Sequence, residues 1–546
     1  MDPKEVESTY DRMANGDRNP YLTRARAAAR LTIPRLMRED GANASTPVKT
    51  PWQTVGARGV NNLAAALTLA LFPPNQSVCR FTLDEMAIRK KYTQAGLATT
   101  ELDAIRTEID QNLQKAEKAV LQDIEDRRVR VTAFEAFKHL IVAGNGLMFV
   151  ENDGPVRFFA LDKYVVRRNP NGSLALLIVR ETLGLSEASQ PVLDSLGMSP
   201  EGAKLIEQQA KDPHARFPIY TVVNQISESR FETYQTVYGV PIEGTKGYYK
   251  RDTNPWIPVR MVSIDGEDYG GSFIEEYAGD LKSLEALSQS IVQAAAAAAK
   301  ILFFVAPNSS TKKRDVAASE SGDVLTGRGE DVSVLQFDKQ ADMSVAANVA
   351  EKIREGLNYN FLLTDQMVRN AERVTAEEVQ MIVRSVEKQF GGLYSLQSQE
   401  FQSPLIRRIV FMASRSGKIP KIPMDLIRPT IVTGIEALGR GQDLQRLDQF
   451  MLGLRNVLSP EQIEAHVDLG EWLKRRANAL SLDTAGLVLT DEQRQQRAQA
   501  MQQQANNQQG SAAMADAASK IAVEAVKNPN AAAAAASLVR GRQARK

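Results

Sequence analysis

Between Gly270 and Arg415 the chain alternates long stretches of helical periodicity with a polar insertion and a charged loop. Nothing in that stretch has the pattern of a catalytic site. Leu284, Ile291, Ala298 and Val305 recur at seven-residue intervals, with Leu281, Leu287, Ala294 and Leu302 filling in between. That heptad-like stripe predicts a helix over 279–305, about 40 Å long, stopped by Pro307. Val345, Val349, Ile353, Leu357 and Phe361 then recur every four residues, which predicts a second amphipathic helix over 340–363. Thr375 and Glu378 form a capping box that opens a third helix running to about Arg415, about 60 Å long. Gly391-Gly392 is its natural place to kink. Long helices without a catalytic constellation build a shaft rather than an active site. The alanine run Ala294–Ala299 has two readings: high helix propensity, or close approach of neighbouring helices.

Two short stretches between these helices carry charge. Residues 306–337 hold four basic and five acidic side chains, with Val324–Thr326 and Val332–Leu335 as candidate strands. The loop 364–374 carries Asp365, Arg369, Glu372 and Arg373. In one chain these make a surface salt bridge. Repeated around a ring, the same arginines form a positive belt that grips phosphates without reading sequence. Lys312, Lys313 and Arg314 fall at one end of the helical shaft.

The remainder predicts an α+β body, mainly helical. Helices are expected over Tyr21–Arg38, Asn61–Phe72, 99–126 and Val131–Val142, the last ended near Gly144. The arginines of Tyr21–Arg38 read as a solvated face, or as an arm for a polyanion. From Leu147 to Val262 the pattern becomes β-branched and aromatic. It predicts short strands at Leu147–Val150, Val156–Leu161, Tyr164–Arg167 and Leu174–Thr182, and an antiparallel pair at Phe217–Ile226 and Phe231–Val240. Asn169-Pro170-Asn171-Gly172 marks a turn. Residues 185–213 read as helical. Further helices are expected at Ile435–Val457 and Pro460–Leu480, followed from 491 by a low-complexity Gln/Ala-rich tail.

Composition excludes several function classes. The 67 basic and 66 acidic residues leave no whole-protein field for holding nucleic acid. One cysteine, Cys79, and three scattered histidines argue against a disulfide framework and a Cys/His zinc site. The apolar runs Leu63–Phe72 and Ile291–Ala306 are too short to span a bilayer. Walker A, Gly-x-Ser-x-Gly, His-Glu-x-x-His and Rossmann patterns are missing. Glu275, Glu276 and Asp280 are explained by a helix N-terminal turn rather than by a metal. No cofactor is expected.

Several segments resemble the portal, or head-to-tail connector, proteins of short-tailed bacteriophages: Asn43–Pro74, Phe134–Val150, Val259–Glu285, Thr326–Ala346, Arg369–Val379 and Gly434–Leu444. The resemblance implies a dodecameric ring around a channel at one capsid vertex. It maps residues 1–278 and 375–434 to the wing, with a long kinked helix in the second part. Helices 279–305 and 340–363 become the stem, 306–339 a small α/β clip, 364–374 the channel loop and 435–490 a helical crown. Arg369 and Arg373, with Asn370 between them, then line the DNA channel. Lys312, Lys313, Arg314 and Arg328 lie on the clip surface that meets terminase and later the tail. Leu284, Ile291, Ala298, Val349, Ile353 and Leu357 pack the stem. The implied partners are double-stranded DNA, the terminase large subunit, scaffolding and major capsid proteins, tail adaptors and internal core proteins, with no membrane. The implied place is the virion, after assembly in the host cytoplasm. A DNA-dependent nuclease subunit with a helical clamp and a helical scaffolding protein are the rival readings. The first predicts a carboxylate metal cluster and turnover, the second no stable ring.

Overall fold

The computed structural model describes residues 1–39, 41, 45–74, 78–83, 99–207, 215–298, 302–309, 311–324, 326–335, 340–363, 391–419, 427–430 and 448–459, and a few single positions beyond. Two units result, Met1–Ala437 and Leu438–Lys546. In the second, residues 448–457 are helical, and Arg476 pairs with Asp448 at 3.3 Å.

Among the described residues the first unit holds two antiparallel sheets of three or more strands, two two-stranded antiparallel ribbons and a layer of helices. Strands β1 (Arg80–Leu83), β2 (Asn145–Phe149), β3 (Arg157–Phe159), β4 (Tyr164–Arg168), β5 (Leu174–Gly184), β6 (Arg216–Ser227), β7 (Arg230–Val237), β8 (Val240–Pro241), β9 (Gly247–Lys250) and β10 (Trp256–Arg260) follow in chain order. The larger sheet runs β4-β5-β6-β7-β8, with β9 also on β7; the smaller runs β10-β2-β3. The expected strands between 147 and 240 all appear, and Gly172 closes the predicted turn at φ +77° with its N–H on Asn169 O. Strands β9 and β10 escape the sequence reading: β9 is four residues long, and Pro258 interrupts the pattern of β10. Residues 190–197 and 200–207 are helices, as expected for 185–213.

The N-terminal helix Val6–Asn15 covers one face of the larger sheet. Val6, Tyr10, Met13 and Ala14 pack on Val165, Ile178, Tyr220, Val222 and Tyr234. Arg18, nearly buried, fixes its far end by donating to Tyr10 Oη at 3.1 Å and to the carbonyls of Asp162 and Tyr164 at 2.9 and 3.1 Å. The next helix ends at Leu31 rather than Arg38. Pro34 disfavours helix at the residue before it, and Thr32 turns its hydroxyl back to Ala28 O at 2.9 Å. Its arginines are engaged: Arg24 pairs with Glu275 at 3.6 Å, and Arg30 with Glu39.

Helices Val55–Leu71, Val129–Ala143 and Ser403–Arg415 enclose an aromatic centre. Phe401 meets Phe72 at 5.6 Å and Phe137 at 5.3 Å, both edge-on. Ser398–Gln402 form a π-helical turn just before Ser403. That turn projects Gln397 onto Arg260 O, Glu400 onto the Arg260 guanidinium, and Gln402 onto Leu71 O. The expected kink at Gly391-Gly392 falls at the edge of the described residues, and the capping box at Thr375 lies outside them; the described distortion is this π-turn. Thr99–Asp126 is one continuous helix, as expected. Its Asp123 carboxylate receives Arg127 and Lys418, both at 2.7 Å. Burial alone raises that carboxyl, but the two cationic hydrogen bonds outweigh it and hold it below the usual range.

His139 lies buried on the Val129–Ala143 helix, its ring 4.9 Å from that of Phe158. Burial lowers its pKa to about 4, against a smaller opposing effect from Asp162. The unfolded chain therefore binds a proton there between about pH 6.5 and the folded value, and the native state does not. Its stabilising contribution is complete above pH ~6.5 and is lost as pH falls toward 4, on the order of 3 kcal/mol in full. His139→Phe should leave the melting temperature at pH 7 within a few degrees and flatten its decline between pH 6.5 and 4, followed by circular dichroism.

Candidate functional site

The long helical pair grows out of one junction. Gly144 ends the Val129–Ala143 helix at φ +72°, and a Cβ there would come within 2.6 Å of the Gly271 carbonyl group. The next side chain, Asn145, closes the junction from both directions. Its Nδ2 donates to Gly270 O at 2.8 Å, and Gly270 N donates to its Oδ1 at 2.7 Å. Ser272 then caps Phe273–Glu276, accepting from Ile274 N at 3.0 Å and donating to Ile141 O at 2.9 Å. From this root runs the helix Ala278–Ala298.

The structure corrects the far end of that helix. The expectation was helix to Val305. Instead Leu302–Val305 is strand β11, antiparallel to β12 (Val332–Leu335) in the register Leu302↔Leu335 to Val305↔Val332. Leu302-Phe303-Phe304-Val305 continues the apolar run and so mimics the helical stripe, but aromatic and β-branched residues suit a paired strand. Between the strands, Lys313–Ala318 forms a short helix. Thr311 is buried against Gly327, where a Cβ would lie 2.1 Å from the Thr311 hydroxyl. Val324 is 98% exposed and forms no strand, against expectation. Lys312, Lys313, Arg314 and Arg328 are all exposed.

The return helix spans Gln340–Asn360 and lies antiparallel to the first. Of the residues expected to pack this pair, Leu284 and Leu357 are fully buried, Ile291 and Ile353 are half-buried, and Ala298 and Val349 are exposed. The sequence stripe at intervals of four winds around a 3.6-residue helix, so it cannot stay on one face. The line that is covered steps by three and four: Met343, Ala346, Ala350, Ile353, Leu357. Val345 (62% exposed), Val349 (44%) and Tyr359 (70%) project elsewhere.

The base of the return helix is locked into the body. Phe361 meets Phe273 at 5.8 Å and Tyr277 at 5.9 Å, and lies over Gly59, where a Cβ would come within 2.5 Å of the ring. Asn62 Nδ2 donates to Phe361 O at 3.0 Å and Leu362 O at 2.8 Å, and Leu362 breaks the helix at φ +55°. The chain thus leaves for 364–374 from a fixed point. Arg369, Asn370 and Arg373 lie outside the described residues. Asn62, Gly59 and Glu285 escaped the sequence reading; Asn43–Pro74 stood out only as a motif. Glu285 accepts from Trp52 N at 2.9 Å and Gln53 N at 3.2 Å, strapping the 45–53 segment to the first helix.

Two clefts elsewhere among the described residues are lined mainly by polar and charged side chains, several of which already bond within the chain. The cleft of about 430 Å³ between 168–172 and 263–268 holds Arg168 and Arg260. Arg168 donates to Asp268 O, Gly172 O and Pro258 O, and Arg260 to Glu400. Among the described residues no group of acidic, histidine or cysteine side chains is arranged to hold a metal. None of the described helices is long and apolar enough to cross a membrane.

A profile described as bacteriophage head to tail connecting protein matches residues 3–488. The chain is 38% identical over 544 residues to the portal protein of Escherichia phage T7, covering 98% of this chain and 97% of that one. It is 39% identical over 496 residues to the portal protein of Enterobacteria phage T3, covering 90% and 89%. To that of Enterobacteria phage SP6 it is 31% identical over 488 residues, covering 89% and 90%. The chain belongs to the head-to-tail connecting proteins, the portal proteins of short-tailed phages. It is a structural component of the virion's head–tail connector and not an enzyme.

The base contacts predict two outcomes. Gly59→Ala should collide with Phe361, and Asn62→Ala should leave two carbonyls unbonded, at about 1–3 kcal/mol for each unpaired buried group. Both variants should melt several degrees lower than the parent by differential scanning fluorimetry, whereas Lys313→Ala, on the exposed insertion, should melt with it.

Proposed function

We propose that the chain assembles as a ring, twelve subunits in number, that forms the channel for double-stranded DNA at one vertex of the capsid. The carrying observation is the helical pair: its inner line is buried within the protomer, while Val292, Val345 and Val349 stay open along the outside. Exposed apolar residues arrayed along long helices are what a ring of side-by-side copies covers. The family's role as connector supports the same reading.

In this proposal residues 1–278 and 375–434 form the wing, the two helices with their extension to 305 and 363 the stem, 306–339 the clip, 364–374 the channel loop and 435–490 the crown. The clip, with Lys312, Lys313, Arg314 and Arg328, docks the terminase large subunit during packaging and the tail adaptors afterwards. The ring nucleates head assembly with scaffolding and major capsid proteins, in the host cytoplasm, and its crown meets internal core proteins. Arg369 and Arg373, with Asn370 between them, project from a loop whose origin Asn62 fixes. A belt of arginines contacts phosphate oxygens without reading bases, and the near-neutral chain keeps the rest of the channel from holding a moving duplex.

Negative-stain end views of the purified protein should show rings of about twelve subunits with a central hole, by the closed symmetry of such assemblies. Arg369→Ala with Arg373→Ala should leave those rings intact and lower DNA packaging or retention severalfold. Wild-type packaging by the double variant would remove the arginines from the channel's function; small closed oligomers at high concentration would remove the ring.

A further inference from the structure

Two faces of the helical pair are shaped for each other. The rings of Tyr277 and Phe361, 5.9 Å apart, set the two antiparallel helices in register. Counting up from one and down from the other at equal rise puts Glu285 level with Ile353, and Val292 level with Ala346. At about 100° per residue, Glu285 and Val292 lie about 80–100° round from the line that faces the second helix. By the same count Val345, Val349, Lys352, Gly356 and Tyr359 form one stripe about 120° round from the second helix's inner line. Because the helices are antiparallel, the two stripes face opposite sides of the pair.

Their contents complement one another level by level. On the first side, Trp52, 44% exposed, is held at Glu285 by its own backbone N–H, and Val292 stands two turns further along. On the other side, Val345 and Val349 bracket the height of Val292, and Lys352 stands at the height of Glu285. Beside it, between Lys352 and Tyr359, Gly356 leaves a gap: a Cβ added there would meet nothing within 4 Å. A glycine inside an exposed helix is destabilising by about 1 kcal/mol relative to alanine. Among the described residues no contact requires one at Gly356.

We propose that this pair of faces is the joint between neighbouring copies of this chain. Val292 of one copy seats between Val345 and Val349 of the next, Glu285 faces Lys352, and the Trp52 indole fills the gap at Gly356. Opposite-facing patches that fit each other make a heterologous contact, which propagates from copy to copy and closes into a ring when the rotation per copy closes, rather than forming a two-fold dimer. The indole, preorganised by Glu285 and buried on assembly, is the anchor of the joint. The inference rests on the ring reading above and assigns its faces.

Two experiments on the full chain test it. In a Cys79→Ser background, Val292→Cys with Val349→Cys should give, on mild oxidation, a ladder of covalent multimers on a non-reducing gel, and each single cysteine variant should not. Gly356→Leu should keep or raise the protomer's melting temperature while raising the concentration needed for assembly at least tenfold, read by light scattering on a size-exclusion column. Rings that form without a ladder and tolerate Gly356→Leu would overturn this joint and leave the ring standing. Single-cysteine dimers would mean a two-fold contact instead. A parent chain that forms no ring at any concentration would overturn both.

Discussion

The placement of the helical pair depends on how closely three backbone segments approach, at Gly144, at Gly270-Gly271 and at Val262. A Cβ at either Gly144 or Gly270 would fall within 2.7 Å of the opposing backbone. With those contacts open to glycine alone, Asn145 bonds Gly270 in both directions, and Ser272 caps the next helix while holding the end of the previous one. The helical pair therefore leaves the body at a fixed angle. A lever about 30 Å long multiplies any error at its root, so a junction without side-chain slack is what places the far insertion reproducibly.

The same logic recurs at the other foot of the pair. Asn62 and Gly59, on one helix, receive Phe361 and the carbonyls that end the return helix. Both feet are thus built largely on the segments that carry the family resemblance, and the described helices between them carry exposed apolar residues such as Val292, Val345 and Val349 among charged ones. The body is self-sufficient: Phe72, Phe137 and Phe401 fill one centre, and the N-terminal helix closes the larger sheet. Along the helical pair, by contrast, the described residues cover only one line of each helix.

How much of this was legible in the sequence follows from which interactions are local. Strands β4 to β7 announce themselves by β-branched and aromatic runs, with the Asn171-Gly172 turn between β4 and β5, and the helices over 99–126 and 129–143 by their period and the glycine at 144. The strand Leu302–Val305 reads as helix in the sequence because its apolar residues stay in phase with the heptads before it; only the pairing of Leu302 with Leu335 and of Val305 with Val332, distant in sequence, decides the matter. The π-turn at Ser398–Gln402 leaves no local mark, since its purpose is to aim three polar side chains at distant backbone and one guanidinium. Of the residues expected to pack the stem, Leu284 and Leu357 are buried, while Ala298 and Val349 are exposed. The arginines at 369 and 373 rest on the resemblance.

The ribbon of β11 and β12 has a consequence of its own. By pairing Val305 with Val332 it holds the two ends of the intervening stretch together whatever shape that stretch adopts. Loop closure is thereby settled locally, and each doubling of the enclosed length adds only about 0.6 kcal/mol. The tip is a cassette: residues can be inserted, removed or exchanged between those strands while the helices beneath keep their register. A lineage can thus change the length and surface of this tip without rebuilding the helices beneath it.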